Sequence, residues 1–468
     1  MDTRSLSVQE KITPVLMKRF DIPGPRYTSY PTADRFLPDS QGKHLIDALN
    51  QRSSAAESLP LALYVHLPFC ESVCYYCACN KVITKDHSKV AEYLRYLDKE
   101  MGLMVSYLPD PARRMVSQLH LGGGSPTFLD DEELTQLMNG LRAHFPFESG
   151  CECSIEVDPR TVTTSRLTHL RDLGFNRLSF GVQDFDPKVQ QAVHRVQPFE
   201  QVAALMQDAR TLGFDSVNLD LIYGLPHQSP ESFDQTLRQV LEVQPDRIAL
   251  YAYAHLPARF KPQRRIHAED LPQAADKVHM LDQAIHAFMA HGYDYIGMDH
   301  FALPDDQLAQ VKREGRLQRN FQGYHTNAGA DLIGLGVSAI SQAGQAYSQS
   351  VKTLEEYYAA LDGAMLPVER GLTLDDDDLI RRDVIMTLMC QGRINFDAVE
   401  RQYGIEFSSY FAEALARLQE FEIEGLLIRT LAGLEVSKLG WFFVRAMAMS
   451  FDKYLWRHQD HQRFSKVL

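Results

Sequence analysis

Cys70, Cys74, Cys77 and Cys79 fall within ten residues of each other, in the stretch CESVCYYCACN (70–80). Their spacing is C-x3-C-x2-C-x-C. In a reducing compartment so tight a set of thiols points to metal or redox chemistry rather than to a disulfide frame. Three thiolates at the first two spacings can wrap one loop around three corners of a cubane iron–sulfur cluster, whose iron prefers soft sulfur donors. The fourth iron is then open to a small molecule. The alternative is a structural zinc held by all four cysteines in a closed tetrahedron. Zinc knuckles, however, usually draw two ligands from each of two separated segments, and these four come from one loop. Cys151 and Cys153 alternate along a strand-like run and share a face, which reads as two small buried apolar residues.

A second set of residues carries ligand-binding chemistry. The glycines of GGGSP (122–126) allow close approach of backbone to a ligand. They make a poor dinucleotide fingerprint, because Thr127 stands where G-x-G-x-x-G needs its third glycine. Glu156 can receive an ammonium group, Asp220 can accept hydrogen bonds from a ribose, and the fork of Arg195 suits a carboxylate. The competing readings are that Asp220 caps a helix and that Arg195 is a solvated surface residue.

The elements that must position these residues follow a rhythm that begins at residue 61. Short apolar or β-branched runs, LALYVH (61–66), VSQLHL (116–121), CECSIEV (151–157), RLSFGVQ (177–183), SVNLDLI (216–222) and IALYAY (248–253), are separated by helical patterns. Val90, Leu94, Leu97, Met101, Met104 and Leu108 recur at helical steps. The acids of 130–133 suit a helix N-terminus, and SPESFDQTLRQVLEV (229–243) begins with a capping sequence. Strands alternating with helices require a parallel sheet, either an open barrel of six β/α units or a doubly wound sheet. The barrel is favoured because Tyr64, Gly122 to Ser125, Glu156, Gln183, Asp220 and Ala254 with His255 are expected at or just past strand ends, the rim where barrel enzymes work.

Three consecutive segments are expected: an N-terminal arm or cap (1–55), too broken by proline in GPRYTSYPTADRF for a helix there; a barrel catalytic domain with its extension (56–365); and a mainly helical, winged-helix-like domain with a small β-wing (366–468). A winged helix invites a DNA-binding reading, but residues 371–468 hold 12 Lys+Arg against 15 Asp+Glu. The whole chain balances 48 Lys+Arg against 61 Asp+Glu, a formal −13, so polyanion binding has no support. No signal peptide or membrane span is evident, and the cytoplasm is the expected compartment.

C-x3-C-x2-C after the first barrel strand resembles the radical S-adenosylmethionine (SAM) superfamily. YVHLPFC, CACN, HLGGGSPT, SIEVDPR, FNRLSFGVQDF, NLDLIYGLP, YAHLP, GMDHFA, RNFQGY and GLGVSAIS, with GPRYTSYPTA near the N-terminus, are similar to the oxygen-independent coproporphyrinogen III oxidase family. Haem chaperones that share the barrel typically lack both the C-x-C ending, present here as Cys77-Ala78-Cys79, and the arm. A haem-binding chaperone is therefore the second reading, and a zinc-stabilised regulator the third. The resemblance implies that Cys70, Cys74 and Cys77 ligate a [4Fe-4S] cluster, with Cys79 nearby but outside the coordination sphere. Tyr64, Gly123, Glu156 and Ile340 would contact the SAM on the cluster, and Tyr76 would lie near its adenine. Gly124, Ser125, Gln183, Arg195, Asp220 and Ala254 would contact a second SAM. Ser125 stands where the family often carries Thr, keeping the hydroxyl, and Ala78 where it often carries Gly, adding a methyl. The implied partners are coproporphyrinogen III, an electron donor such as a flavodoxin or ferredoxin, and an unidentified electron acceptor. Arg26, Arg319 and His300 are candidates for the substrate's carboxylates. Neither nucleic acid nor membrane is implied, and a monomer is expected.

Overall fold

The six predicted runs become β1 (Leu61–Leu67), β2 (Val116–Gly123), β3 (Phe147–Val157), β4 (Arg177–Gln183), β5 (Ser216–Tyr223) and β6 (Arg247–Ala252) in a computed structural model that describes residues 13–56, 60–326 and 329–458. Each pairs in parallel with the next, so their order in the sheet is their order in the chain. A doubly wound sheet would reverse that order at a switch point; a sheet wound in one direction curls into a partial (β/α)6 barrel.

The helices between strands combine buried apolar stripes with, in several cases, side-chain caps. α1 (Ser88–Ser106) buries Val90, Leu94, Leu97, Met101 and Met104, the residues of the predicted stripe. α2 (Asp131–His144) opens with a reciprocal capping box between Asp130 and Glu133, and α5 (Pro230–Val243) with one between Ser229 and Ser232. Such a cap contributes about 1 kcal/mol. α3 (Thr164–Asp172) and α4 (Phe199–Thr211) complete the outer layer. α5 buries Phe233, Leu237, Val240 and Val243, each contributing roughly 1.5–3 kcal/mol through burial.

The sheet continues beyond β1. β7 (Asp331–Leu335) lies parallel to β1, and β8 (Ile340–Ala343), β9 (Ala346–Ser350) and β10 (Val368–Thr373) follow in antiparallel order. The short strand Leu37–Pro38 pairs with β10. The helix Lys43–Ser54 buries Leu45, Ala48 and Leu49 and fixes Arg52 to Asp331 at 2.6 Å.

Two compact units divide the chain. The barrel unit spans Phe36–Pro272 and Gly329–Thr373; the helical unit combines Met1–Arg35, Gln273–Ala328 and Leu374–Leu468. Both units are thus discontinuous, where the sequence reading expects three consecutive segments. Residues 36–54, expected in the arm, add an edge strand and a helix to the barrel sheet. Residues 13–35 pack instead on the C-terminal region: Phe20 stacks on Phe421 with centroids 4.5 Å apart, and the Tyr27 hydroxyl donates to Asp452 at 3.0 Å. The segment from Gln273 joins them, with Tyr295 against Phe442 at 4.9 Å. The first twelve residues of the expected arm and the last ten of the chain lie outside the described residues. The helical unit carries the expected wing: Arg393–Asn395, Gly433–Val436 and Leu427–Arg429 form a three-stranded sheet beside the helix Asp376–Gln391. That helix starts in a capping box between Asp375 and Asp378. No helix among the described residues is long and apolar enough to cross a membrane.

Candidate active site

Alternation along the parallel strands places leucine, isoleucine and valine toward the helices and a polar row on the other face. Tyr64 pairs with His120, His120 with Ser154, Glu156 with Ser179, and Ser179 with Asn218. Opposed residues share a face, so side chains meet across strands. The Tyr64 and His120 rings stack at 5.9 Å, and His120 Nε2 stands 3.5 Å from Glu156 Oε1. Asn218 Nδ2 donates to both the Ser179 hydroxyl and Asp220 Oδ1 at 2.8 Å. Tyr64 and Asp220 therefore lie inside their strands rather than at the rim the sequence reading assigned. Pattern alone gives the side of the pleat, not the depth along it.

The cysteine loop leaves β1 through Leu67 and Pro68 and is pinned at both ends. Phe69–Cys70 pairs with Val82–Ile83, and the N–H groups of Gly124 and Ser125 donate to the carbonyls of Leu67 (2.8 Å) and Phe69 (2.9 Å). A Cβ on Gly124 would come 2.7 Å from Pro68 C and O, which explains glycine there. Farther along, Tyr75 N–H donates to Val193 O at 2.9 Å, Gln263 Nε2 to Tyr76 O at 2.9 Å, and Lys81 Nζ to the carbonyls of Cys77 and Cys79 at 3.2 Å.

This loop and the polar row enclose a cavity of about 450 Å³, lined by Cys70, Cys74, Tyr76, Cys77, Cys79, Gly123, Gly124, Ser125, Glu156, Gln183, Arg195 and Asp220. Of the residues singled out in the sequence, Tyr64 sits behind this lining beside Glu156, while Ala254 and Ile340 are not part of it. His66, His120, Asp158 and Arg160 belong to the same polar assembly and were not singled out, although SIEVDPR and YVHLPFC contain three of them. For His66 and His120 the signal was the strand alternation itself; Asp158 and Arg160 lie just past the end of β3, where no periodic pattern marks them.

The electrostatics differ from one carboxylate to the next. Burial pushes the Glu156 carboxyl up, but hydrogen bonding and charge from His120, and the Gly123 N–H at 3.1 Å, outweigh it and leave the group below its ordinary range. Glu156 is thus a fixed negative charge. Burial and the charge of Glu156 push Asp220 up to about 6, against the hydrogen bonds from Asn218 and Ser179. Arg195 is buried, and its fork is already engaged: Nη1 donates to Asp158 Oδ2 at 3.2 Å, and Nε to Gly181 O at 3.1 Å. The carboxylate it meets is the chain's own.

All seven cysteines are free thiols. Among the described residues, no three of the loop thiols come within 4.8 Å of one another. A closed zinc tetrahedron with Zn–S near 2.3 Å would hold its sulfurs about 3.8 Å apart. Thiols spread around a cavity suit the separate iron corners of a cubane, so the donor set fits the implied cluster. The Cys77 thiol is lowered to about 6, chiefly by a hydrogen bond from Cys79, which leaves Cys79 as the protonated partner.

Comparison with known proteins decides the lineage. Residues 64–240 match the family model of the radical SAM superfamily, and 374–443 that of the HemN C-terminal domain. The chain is 48% identical over 457 residues to the oxygen-independent coproporphyrinogen III oxidase of Pseudomonas aeruginosa, covering 97% of this chain and 98% of that one. It is 46% identical to the Escherichia coli protein of the same name, with the same coverage. The chain belongs to the oxygen-independent coproporphyrinogen III oxidase family. A solved structure of coproporphyrinogen III oxidase (HemN) from Escherichia coli, described as a radical SAM enzyme, superposes with a TM-score of 0.90 at 44% identity, covering 96% of this chain and 100% of that one. The barrel is accordingly a radical SAM barrel, and the matched C-terminal segment contains the capped helix and the wing. In this family member the basic candidates Arg26, Arg319 and His300 all lie in the helical unit. Arg319 is buried against the Tyr324 ring, 4.6 Å from its centroid, with Nε and Nη1 lacking hydrogen-bond partners.

Proposed function

We propose that the chain converts two propionate side chains of coproporphyrinogen III to vinyl groups, giving protoporphyrinogen IX without dioxygen. The reading rests on one observation: three free thiols, the Gly123–Ser125 backbone and the ionised Glu156 line a single cavity. Cys70, Cys74 and Cys77 would hold a [4Fe-4S] cluster, which when bound and reduced splits SAM to a 5′-deoxyadenosyl radical that takes a hydrogen atom from the propionate β-carbon. Loss of CO2 and one electron to an acceptor then leaves each vinyl group.

The chain's own residues bind and orient. Glu156, kept charged by His120 and Gly123, is suited to the SAM ammonium group. Gly123, with φ +120, presents bare backbone where a Cβ would strike the His66 ring at 2.8 Å. Asp220 and Gln183 face the same cavity and are proposed for a second SAM, with Gly124 and Ser125 beside them. Arg319, with two unpartnered N–H groups, is proposed for a substrate carboxylate. A flavodoxin or ferredoxin would supply electrons to a cytoplasmic monomer.

Anaerobic incubation with SAM, a reductant and coproporphyrinogen III should give a product lighter by two CO2 and four hydrogen atoms. Glu156→Ala should abolish it while retaining iron. Asp220→Ala should lower the number of SAM molecules bound at equilibrium from two to one. Saturation of the unmutated chain at one SAM would defeat the two-site reading, and unchanged substrate mass would defeat the reaction.

A further inference from the structure

Asp158 follows β3 and caps the turn Pro159–Thr161, accepting the Arg160 N–H at 3.1 Å. The same carboxylate then takes the Arg160 side chain, Nε to Oδ1 at 2.9 Å and Nη2 to Oδ2 at 2.6 Å, and Arg195 Nη1 to Oδ2 at 3.2 Å. Asp158 and Arg195 are more than nine-tenths buried. Both guanidinium groups converge on one sulfur: Arg195 Nη1 lies 3.6 Å from Cys74 Sγ, and Arg160 Nη2 lies 3.8 Å from it. Glycine at 181 makes room, since a Cβ there would stand 3.0 Å from Arg195 Nη2. Two like charges side by side repel, and Asp158 between them offsets that repulsion while leaving the trio with one net positive charge.

We propose that Asp158, Arg160 and Arg195 form a clamp that directs two charge-assisted N–H···S hydrogen bonds onto Cys74 and so raises the reduction potential of the cluster this loop holds. The inference rests on the cluster reading above. Reduction adds an electron to the cluster, and donors to a ligating sulfur stabilise the more negative state. Arg160 acts through Cys74 and is a positioning residue, not one that meets substrate. The clamp also singles out one of the three cysteines, so the bound cluster is polarised toward the Cys74 corner.

The test uses the full chain, reconstituted anaerobically without SAM, with iron and sulfide counted before a redox titration followed by electron paramagnetic resonance. Arg160→Gln should hold the same cluster content and lower the reduction equilibrium constant about tenfold, a midpoint more negative by ~59 mV for one electron. Arg160→Lys restores charge without the fork and should fall between the two. A full cluster with an unchanged midpoint in Arg160→Gln would overturn the clamp and leave the cluster reading intact. An unmutated chain that holds no four-iron cluster would overturn the cluster reading itself. If Arg160→Gln and Arg160→Lys both fail to assemble a cluster, the arginine holds the cluster rather than tunes it, and the proposal is wrong.

Discussion

Glu100, on α1, is the most informative group to neutralise. Its Oε2 accepts the Tyr357 hydroxyl at 2.6 Å and the Gly336 N–H at 2.8 Å, with only 1% of the residue exposed. Beside it the Tyr93 hydroxyl donates to His66 O at 2.7 Å and accepts the Val337 N–H at 3.1 Å. This network holds the GLGVSAIS segment that leads to Ile340. Burial pushes Glu100 from 4.5 up to about 7, against its two hydrogen bonds. The neighbouring tyrosines are raised far above their usual range and stay neutral. A raised acid binds its proton more tightly in the folded chain than in the unfolded one. Stability therefore falls as pH rises from about 4.5 to about 7, by roughly 3 kcal/mol at ~1.4 kcal/mol per tenfold. Glu100→Gln keeps a carbonyl oxygen for both donors and never ionises. Urea midpoints should show the variant gaining about 3 kcal/mol on the unmutated chain between pH 4 and pH 8, from a pH-independent offset at pH 4 of zero to about −2 kcal/mol for one extra buried N–H, so that it is more stable by about 1–3 kcal/mol at pH 8. The difference between the two proteins cancels every other titration. A difference independent of pH, or a loss of stability at pH 8, would refute the reasoning.

Three further outcomes are expected. Gly124→Ala places a methyl against Pro68 backbone and breaks the Gly124 to Leu67 hydrogen bond, so reconstitution should yield well under half the iron of the unmutated chain. Asp331→Ala removes the ion-pair partner of the buried Arg52 guanidinium, whose Nε keeps the Arg113 carbonyl, and frees Gly344 N–H; it should cost about 3 kcal/mol in urea unfolding, with little recovery in Asp331→Asn. Cys79→Ala should retain iron, sulfide and SAM binding that Cys74→Ala loses; equal metal loss in both would reinstate the four-cysteine site.

The parallel strands were legible because each carries an apolar row and the helices between them bury regular apolar stripes. The edge sheet was not. Ala346–Ser350 is buried throughout, yet three of its five residues are Ser or Gln. Such a strand reads as a loop until its neighbours are known. Arg370 Nε donates to Gln349 Oε1 at 2.7 Å, a partner twenty-one residues away that no local pattern reveals. The division into units was hidden for the same reason: Phe20 with Phe421, and Tyr295 with Phe442, are joined only by tertiary packing.

At the site the sequence supplied identities and the fold supplied depth. C-x3-C-x2-C, GGGSP and SIEVDPR are strings in which each residue type answers a chemical need, so their chemistry survives without a structure. Their spatial relation does not. Glu152 with Arg177, then Ser154 with His120, then Glu156 with Ser179, form successive polar layers across the inner face of the strands. Barrels that fill their interior with branched apolar residues leave no such face. Here the polar row cannot close into a dry core, so room remains at its upper end for ligands that carry charge. The same row explains why Asp158 and Arg160 escaped notice: each is an ordinary ion-pair residue on its own. Only when β3 ends beside the cysteine loop do they become neighbours of a sulfur, and a helix-cap carboxylate becomes the anchor of a two-arginine clamp on Cys74.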